Sequence, residues 1–218
     1  MNTQVILMMT TNTTAHQLRG PTIVPAVFPW KTNAHLIEDV ASLYIRDEDT
    51  VLDLTYGEGI FWKIFKPKFL IGCDINPDKS PVGCSVDFTN TGFDSDSIDV
   101  VVLDPPYKLN GTPDPSVDAR YGVDITTNWK DRYQLIYDGL KEADRLAKSG
   151  GLVMLKCQDQ VCSGKIRFQT YDFKNYAEDI GMKLIDRFDM IGTGRPQPAG
   201  RRQVHAHGRS STLLVFRV

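Results

Sequence analysis

Cysteine is scarce in this 218-residue chain. Its four residues, Cys73, Cys84, Cys157 and Cys162, make no Cys-x-x-Cys pair of the kind that zinc and redox sites use. They lie in apolar, strand-like surroundings, so buried thiols of a reducing compartment are expected rather than disulfides, and no metal ligand set stands out. Long hydrophobic runs are missing as well. No stretch approaches the ~20 apolar residues of a membrane-spanning helix, and the patch Val5 to Met9 has neither a basic flank nor a small-residue cleavage site, so neither secretion nor membrane insertion is expected and the cytoplasm is. Repeats and low-complexity linkers are absent. So is a large net charge: at −2, attraction of the whole surface to nucleic acid is not available.

What is present fits one globular domain, with 41% hydrophobic and 24% charged residues. The charge is unevenly placed. From Ile191 to Val218 there are five arginines (Arg195, Arg201, Arg202, Arg209, Arg217), His205, His207 and no acid. A basic end on an acidic body can meet a polyanion at one place, or it can simply solvate a loop.

The elements alternate, which is the signature of an α/β sheet. Apolar spacing predicts helices over His35 to Tyr44, Ile60 to Phe65, Asn128 to Ser149 and Arg167 to Ile180. Short apolar runs predict strands at Thr50 to Leu54, Phe69 to Cys73, Gly83 to Phe88, Ile98 to Leu103, Leu152 to Cys157, Lys183 to Met190 and Ser211 to Val218. Two irregular stretches, 108–127 and 191–210, are long for a compact domain and read as functional loops.

The first chemical feature is Asp53-Leu-Thr-Tyr-Gly-Glu-Gly59, a strand running into a Gly-x-Gly turn. Glycine tolerates positive φ and lets backbone approach a ligand closely, although an ordinary tight turn would need it too. Asp74 follows the next strand, 21 residues after Asp53, where a carboxylate can accept both hydroxyls of a ribose. Asp87-Phe88 then offers an acceptor and an apolar face suited to adenine. Dinucleotides and S-adenosylmethionine share this arrangement. The third glycine of a dinucleotide site is replaced here by Trp62, and Asp53 would repel a diphosphate while suiting an ammonium group, so S-adenosylmethionine is favoured.

The second feature is Asp104-Pro-Pro-Tyr107 at the end of the fourth expected strand, where ligands of open α/β sheets sit. Two prolines remove two N–H donors and stiffen the chain, leaving the Asp104 carboxylate and the Pro105 carbonyl as a rigid pair of acceptors. Tyr107 adds a face on which a base can stack, worth roughly 1–3 kcal/mol. The exocyclic amine of adenine is a poor nucleophile because its lone pair is delocalised. Acceptors on its two hydrogens favour a pyramidal nitrogen and aim the lone pair at a methyl group. The Pro-Cys nucleophile needed to methylate a cytosine ring carbon is absent.

On Asp53 to Gly59, Cys73-Asp-Ile-Asn76, Val86-Asp-Phe88 and Asp104 to Tyr107, the chain resembles the amino-directed, S-adenosylmethionine-dependent DNA methyltransferases over roughly Val27 to Val218. The resemblance implies a Rossmann-like class I methyltransferase fold: a seven-stranded, mostly parallel sheet with an antiparallel last strand and helices on both faces. It assigns cofactor contacts to Asp53, Tyr56, Gly57, Glu58, Gly59, Asp74, Ile75, Asp87 and Phe88, and by a looser match to Trp30, Lys31 and Thr32 ahead of the first strand. It assigns the flipped target amine to Asp104, Pro105, Pro106 and Tyr107.

Residues 1–26 are then an extension and 27–218 the methyltransferase domain. No segment is large enough for a separate target-recognition domain, so target contact would fall on the loops 108–127 and 191–210, with Lys108, Arg195, Arg201, Arg202 and Arg209 as the phosphate-binding candidates. Dependence on a homodimer or a partner subunit would follow. The expected activity is methylation of adenine N6 in DNA. The alternatives are the amine of cytosine, a base in RNA, a non-catalytic cofactor-binding subunit or, third, a nicotinamide oxidoreductase.

Overall fold

The computed structural model describes residues 23–81, 83, 85–109, 128–192 and 210–218. The central sheet has seven strands: β1 (Val27–Phe28), β2 (Thr50–Asp53), β3 (Phe69–Gly72), β4 (Ile98–Leu103), β5 (Ala147–Cys157), β8 (Lys183–Ile191) and β9 (Ser210–Arg217). A separate two-stranded hairpin is formed by β6 (Gln160–Cys162) and β7 (Lys165–Arg167). Spatial order in the sheet is β1-β8-β9-β5-β4-β2-β3. Only β9 runs against its neighbours, pairing antiparallel with both β5 and β8. The expected mostly parallel sheet with an antiparallel last strand is therefore present.

Three α-helices among the described residues cover it: α1 (Asn33–Tyr44), α2 (Trp129–Leu146) and α3 (Gln169–Asp179). Leu52, Val101, Leu103, Val153 and Leu155 meet α2 and α3 through Ile136, Leu140 and Phe173 on one face. Val51, Val100, Val102, Met154 and Leu213 meet α1 through Leu36, Ile37 and Val40 on the other. Because strand side chains alternate, a run such as Ile98–Leu103 must be apolar throughout to serve both layers.

Several local expectations need correction. Among its described residues, Gly83 to Phe88 forms no strand; what is seen there is a single parallel bridge, Asp74 to Ser85, in a stretch that follows Pro81 and opens with glycine. The seventh strand is instead β1, which pairs with β8 at the opposite edge. Ile60 to Phe65 is reduced to one 3₁₀ turn, Ile60–Trp62, because Gly59 and Pro67 leave too little room for a helix. Helix α2 starts after Asn128, whose side chain accepts the N–H groups of Lys130 and Asp131, and stops at Leu146; Ala147 to Ser149 already belong to β5. Helix α3 begins at Gln169, two residues late, since Lys165 to Arg167 pair with β6.

Candidate active site

The carboxyl ends of β2, β3 and β4 bring the two sequence motifs together. Asp53 ends β2 and is almost fully buried. Its Oδ1 accepts from the Thr55 N–H at 3.0 Å and its Oδ2 from the Trp62 indole at 2.7 Å. No cation is paired with it among the described residues, and burial pushes its carboxyl up to about 7, with the nearby Asp104 charge adding to the rise.

The chain then turns through Gly57 and Gly59, at φ of 52° and 61°, the left-handed region that glycine favours. Between them and β3 lies the half-buried Tyr56 ring, packed so closely on Gly59 and Gly72 that a Cβ on either would overlap it. Asp74, just beyond β3, accepts the Gly57 N–H and the Asn76 N–H, each at 2.9 Å. It thus fixes the glycine turn from below. Two of the roughly four lone-pair positions of this carboxylate are used, which leaves acceptor capacity for ligand hydroxyls.

Other expected cofactor contacts are less concentrated. Glu58 is exposed and pairs with Lys79. Ile75 is exposed beside the turn. Asp87 is exposed and accepts from the N–H and hydroxyl of Thr89, while the Phe88 ring is turned onto Gly139 of α2. Trp30 is built into the α1 face: its indole donates to Asp39 at 2.8 Å and its ring meets Phe28 and Phe188 edge-on. Lys31 is exposed, and Thr32 pairs with His35 ahead of α1.

The Asp-Pro-Pro-Tyr corner follows β4 directly. The Asp104 N–H donates to the Thr55 hydroxyl at 2.6 Å, so the corner hangs from the same residue that braces Asp53. Asp104 is half-buried. Desolvation lifts its carboxyl to about 6, opposed by the positive charge of Lys156. The Pro105 carbonyl accepts the Tyr107 N–H at 2.7 Å, which occupies one of its two lone pairs. The Pro106 carbonyl accepts from Arg132 of α2, and the Tyr107 carbonyl from the side chains of both Gln160 and Gln169, each at 3.0 Å. Tyr107 itself is half-buried against the core.

The bracing residues Gln160, Gln169 and Arg132 were not singled out from the sequence. A signal for the hairpin existed in Ser163-Gly164, a turn dipeptide between two short runs, and both residues adopt positive φ. Phe168 and Tyr171, flanking Gln169 and Thr170, are exposed. Lys108 is exposed just past Tyr107. Arg195, Arg201, Arg202 and Arg209, and the loops 110–127 and 193–209, lie outside the described residues. Among the described residues, no cluster of three or more His, Cys, Asp or Glu is suited to a metal and no helix is long and apolar enough to cross a membrane.

No protein-family model matches the sequence, and no curated protein matches it. Solved structures do resemble the fold. A putative methyltransferase from Bacillus halodurans aligns at TM-score 0.56 and 14% identity, over 84% of this chain and 97% of that one. An S-adenosylmethionine-dependent methyltransferase from Archaeoglobus fulgidus aligns at 0.52 and 13%, over 85% and 92%. TrmN from Thermus thermophilus aligns at 0.52 and 14%, over 84% of this chain but 48% of its own. The fold is the Rossmann-like fold of class I methyltransferases.

Proposed function

We propose that the chain is an S-adenosylmethionine-dependent methyltransferase that modifies the exocyclic amine of adenine in DNA. The observation that supports this reading is the hydrogen bond from the Asp104 N–H to the Thr55 hydroxyl, which ties the donor-poor Asp-Pro-Pro-Tyr corner to the glycine turn. The donor set fits the cofactor: a buried carboxylate with no described cation partner at Asp53, two left-handed glycines, and Asp74 with free acceptor capacity. Bound there, S-adenosylmethionine supplies an electrophilic methyl group on a sulfonium centre.

The remaining work falls to the chain. The Asp104 carboxylate and the free lone pair of the Pro105 carbonyl accept the two hydrogens of the target amine and favour a pyramidal nitrogen. Tyr107 offers its face to the base. On methyl transfer the target nitrogen would shed one of these two protons. Asp104, at about 6, is ionised at neutral pH and within the site to receive it. Extruding a base from a duplex costs a few kcal/mol, which stacking and phosphate contacts offset.

Incubation with methyl-labelled donor and separate pools of DNA and RNA, followed by digestion to nucleosides, tests the proposal. Label in N6-methyl-2′-deoxyadenosine of the DNA pool supports it. Label in N4-methylcytosine, or in the RNA pool alone, replaces the substrate; cofactor binding with no label anywhere replaces the enzyme by a binding subunit.

A further inference from the structure

Lys156 is wholly buried near the end of β5. Its neighbours Leu155 and Cys157 face α2 and α3, so strand alternation turns Lys156 to the α1 face. There its Nζ donates to Asn33 Oδ1 at 2.8 Å, on the first residue of α1. A single neutral amide does not offset the cost of burying an ammonium group, and fully buried lysines are almost always paired with opposite charge. The register points to Asp104 as the opposite charge, acting across space rather than through a direct ion pair. Leu103 pairs with Leu155 at the end of the β4–β5 ladder, and carrying the strand alternation one residue further assigns Asp104 and Lys156 to the same face, near enough for their charges to interact.

We propose that Lys156 is a positioning residue that keeps Asp104 ionised, and that Asn33 anchors this buried positive charge at the start of α1, directly after Trp30 to Thr32. The inference rests on the reading of Asp104 as the acceptor of the target amine. It adds what that reading lacks: a protonated Asp104 would present an O–H donor to an amine that needs two acceptors, so the corner works only while its carboxylate is charged.

The surrounding groups assign this task to Lys156. Asp53 at the end of β2 is a like charge and opposes ionisation. Tyr56 beyond β2 and Cys157 on β5 are held neutral by burial. Arg132 of α2 donates to the Pro106 carbonyl, and His35 of α1 pairs with Thr32. Lys156 and Asp104 act on each other: burial disfavours the charge of both, and each charge opposes the shift of the other.

The test is the pH dependence of Asp104 in the full chain, followed two ways. The carboxyl ¹³C resonance of Asp104, assigned with Asp104→Asn, is titrated without cofactor in the wild type, in Lys156→Met and in Asn33→Asp. The acid limb of kcat/KM is measured in parallel. Lys156→Met is expected to raise both midpoints by about one pH unit or more, with cofactor Kd changed less than a few-fold. Asn33→Asp keeps the lysine but neutralises part of its charge, and moves both midpoints the same way by less; it serves if Lys156→Met does not fold. An Asp104 midpoint unchanged in the variants overturns the inference, even where activity is lost. Shifted resonances in a protein that methylates no nucleic acid uphold the Lys156 pairing and overturn the proposed function instead.

Discussion

The Thr55 hydroxyl accepts the backbone N–H of Asp104 at 2.6 Å while Thr55 itself braces the Asp53 carboxylate through its own N–H. One side chain therefore ties the end of β4 to the turn that follows β2. Thr55→Val keeps the shape and removes the acceptor, leaving a partly buried N–H unpaired at a cost of about 1–3 kcal/mol. Denaturant unfolding should show that loss, and kcat should fall at least tenfold with cofactor affinity altered less. Asp104→Ala should abolish transfer while cofactor Kd stays within a few-fold by calorimetry. Equal loss of binding would place Asp104 in the cofactor site.

Asp74→Ala should weaken cofactor binding more than any other single change in the cleft. It removes the acceptor expected to meet ligand hydroxyls and also frees the Gly57 N–H, so the left-handed turn loses its tether. Calorimetric titration checks this; a Kd within threefold of wild type would show that the nucleoside lies elsewhere.

Cofactor affinity should rise with pH through about 7. Asp53 is protonated in much of the free protein below that point, and an ammonium group is held only by the ionised form. Asp53→Asn should remove the pH dependence along with most of the affinity. A flat Kd between pH 5.5 and 8.5 in the wild type would refute the pairing.

Stability should respond to pH with opposite signs at two places. Glu142 is buried and accepts from Arg145 first and from the N–H and hydroxyl of Thr91, which hold its carboxyl down at about 2. Its folded value lies below its ordinary 4.5, so its contribution is present above about 4.5 and is lost as pH falls through about 2. Glu142→Gln should cost about 2 kcal/mol at neutral pH and little at the acid end, read from urea midpoints. Asp53 and Asp104 are raised from 3.8, so their contributions are complete below 3.8 and fade as pH rises through about 7 and about 6. Asp53→Asn should flatten that neutral-side decline.

Replacing Arg201 and Arg202 together by Gln should weaken nucleic-acid binding and reduce the steepness of its salt dependence by up to about two in log–log slope. Filter binding across a salt series measures this. An unchanged slope would remove the basic segment as the docking surface.

The ends of β2 and β4 were legible in the sequence because each is an apolar run that stops at an aspartate, a boundary that hydrophobic burial sets locally. The long amphipathic helix α2 was legible for the same reason. What escaped depends on partners distant in the chain. Val27–Phe28 are exposed and only two residues long, and become a strand only where β8 arrives beside them. Gly83 to Phe88 has strand-like residues at its end, yet Gly83 and the preceding Pro81 disfavour a ladder. Lys156 reads as an ordinary strand end until the fold buries it against Asn33 of α1. The glycine turn and the Asp-Pro-Pro-Tyr corner came from local motifs. Their bracing by Gln160, Gln169 and Arg132 requires the folded hairpin and helices.

The hydrogen bond from Trp62 to Asp53 has a practical use. An indole buried against a titrating carboxylate is an intrinsic fluorophore whose emission is quenched or shifted as that carboxylate changes charge. Although Trp30 and Trp129 also emit, Trp62 alone of the three donates to Asp53. Replacing Trp62 with Phe would therefore identify its share of any spectral change on ligand addition, giving the cleft an optical readout that needs no label.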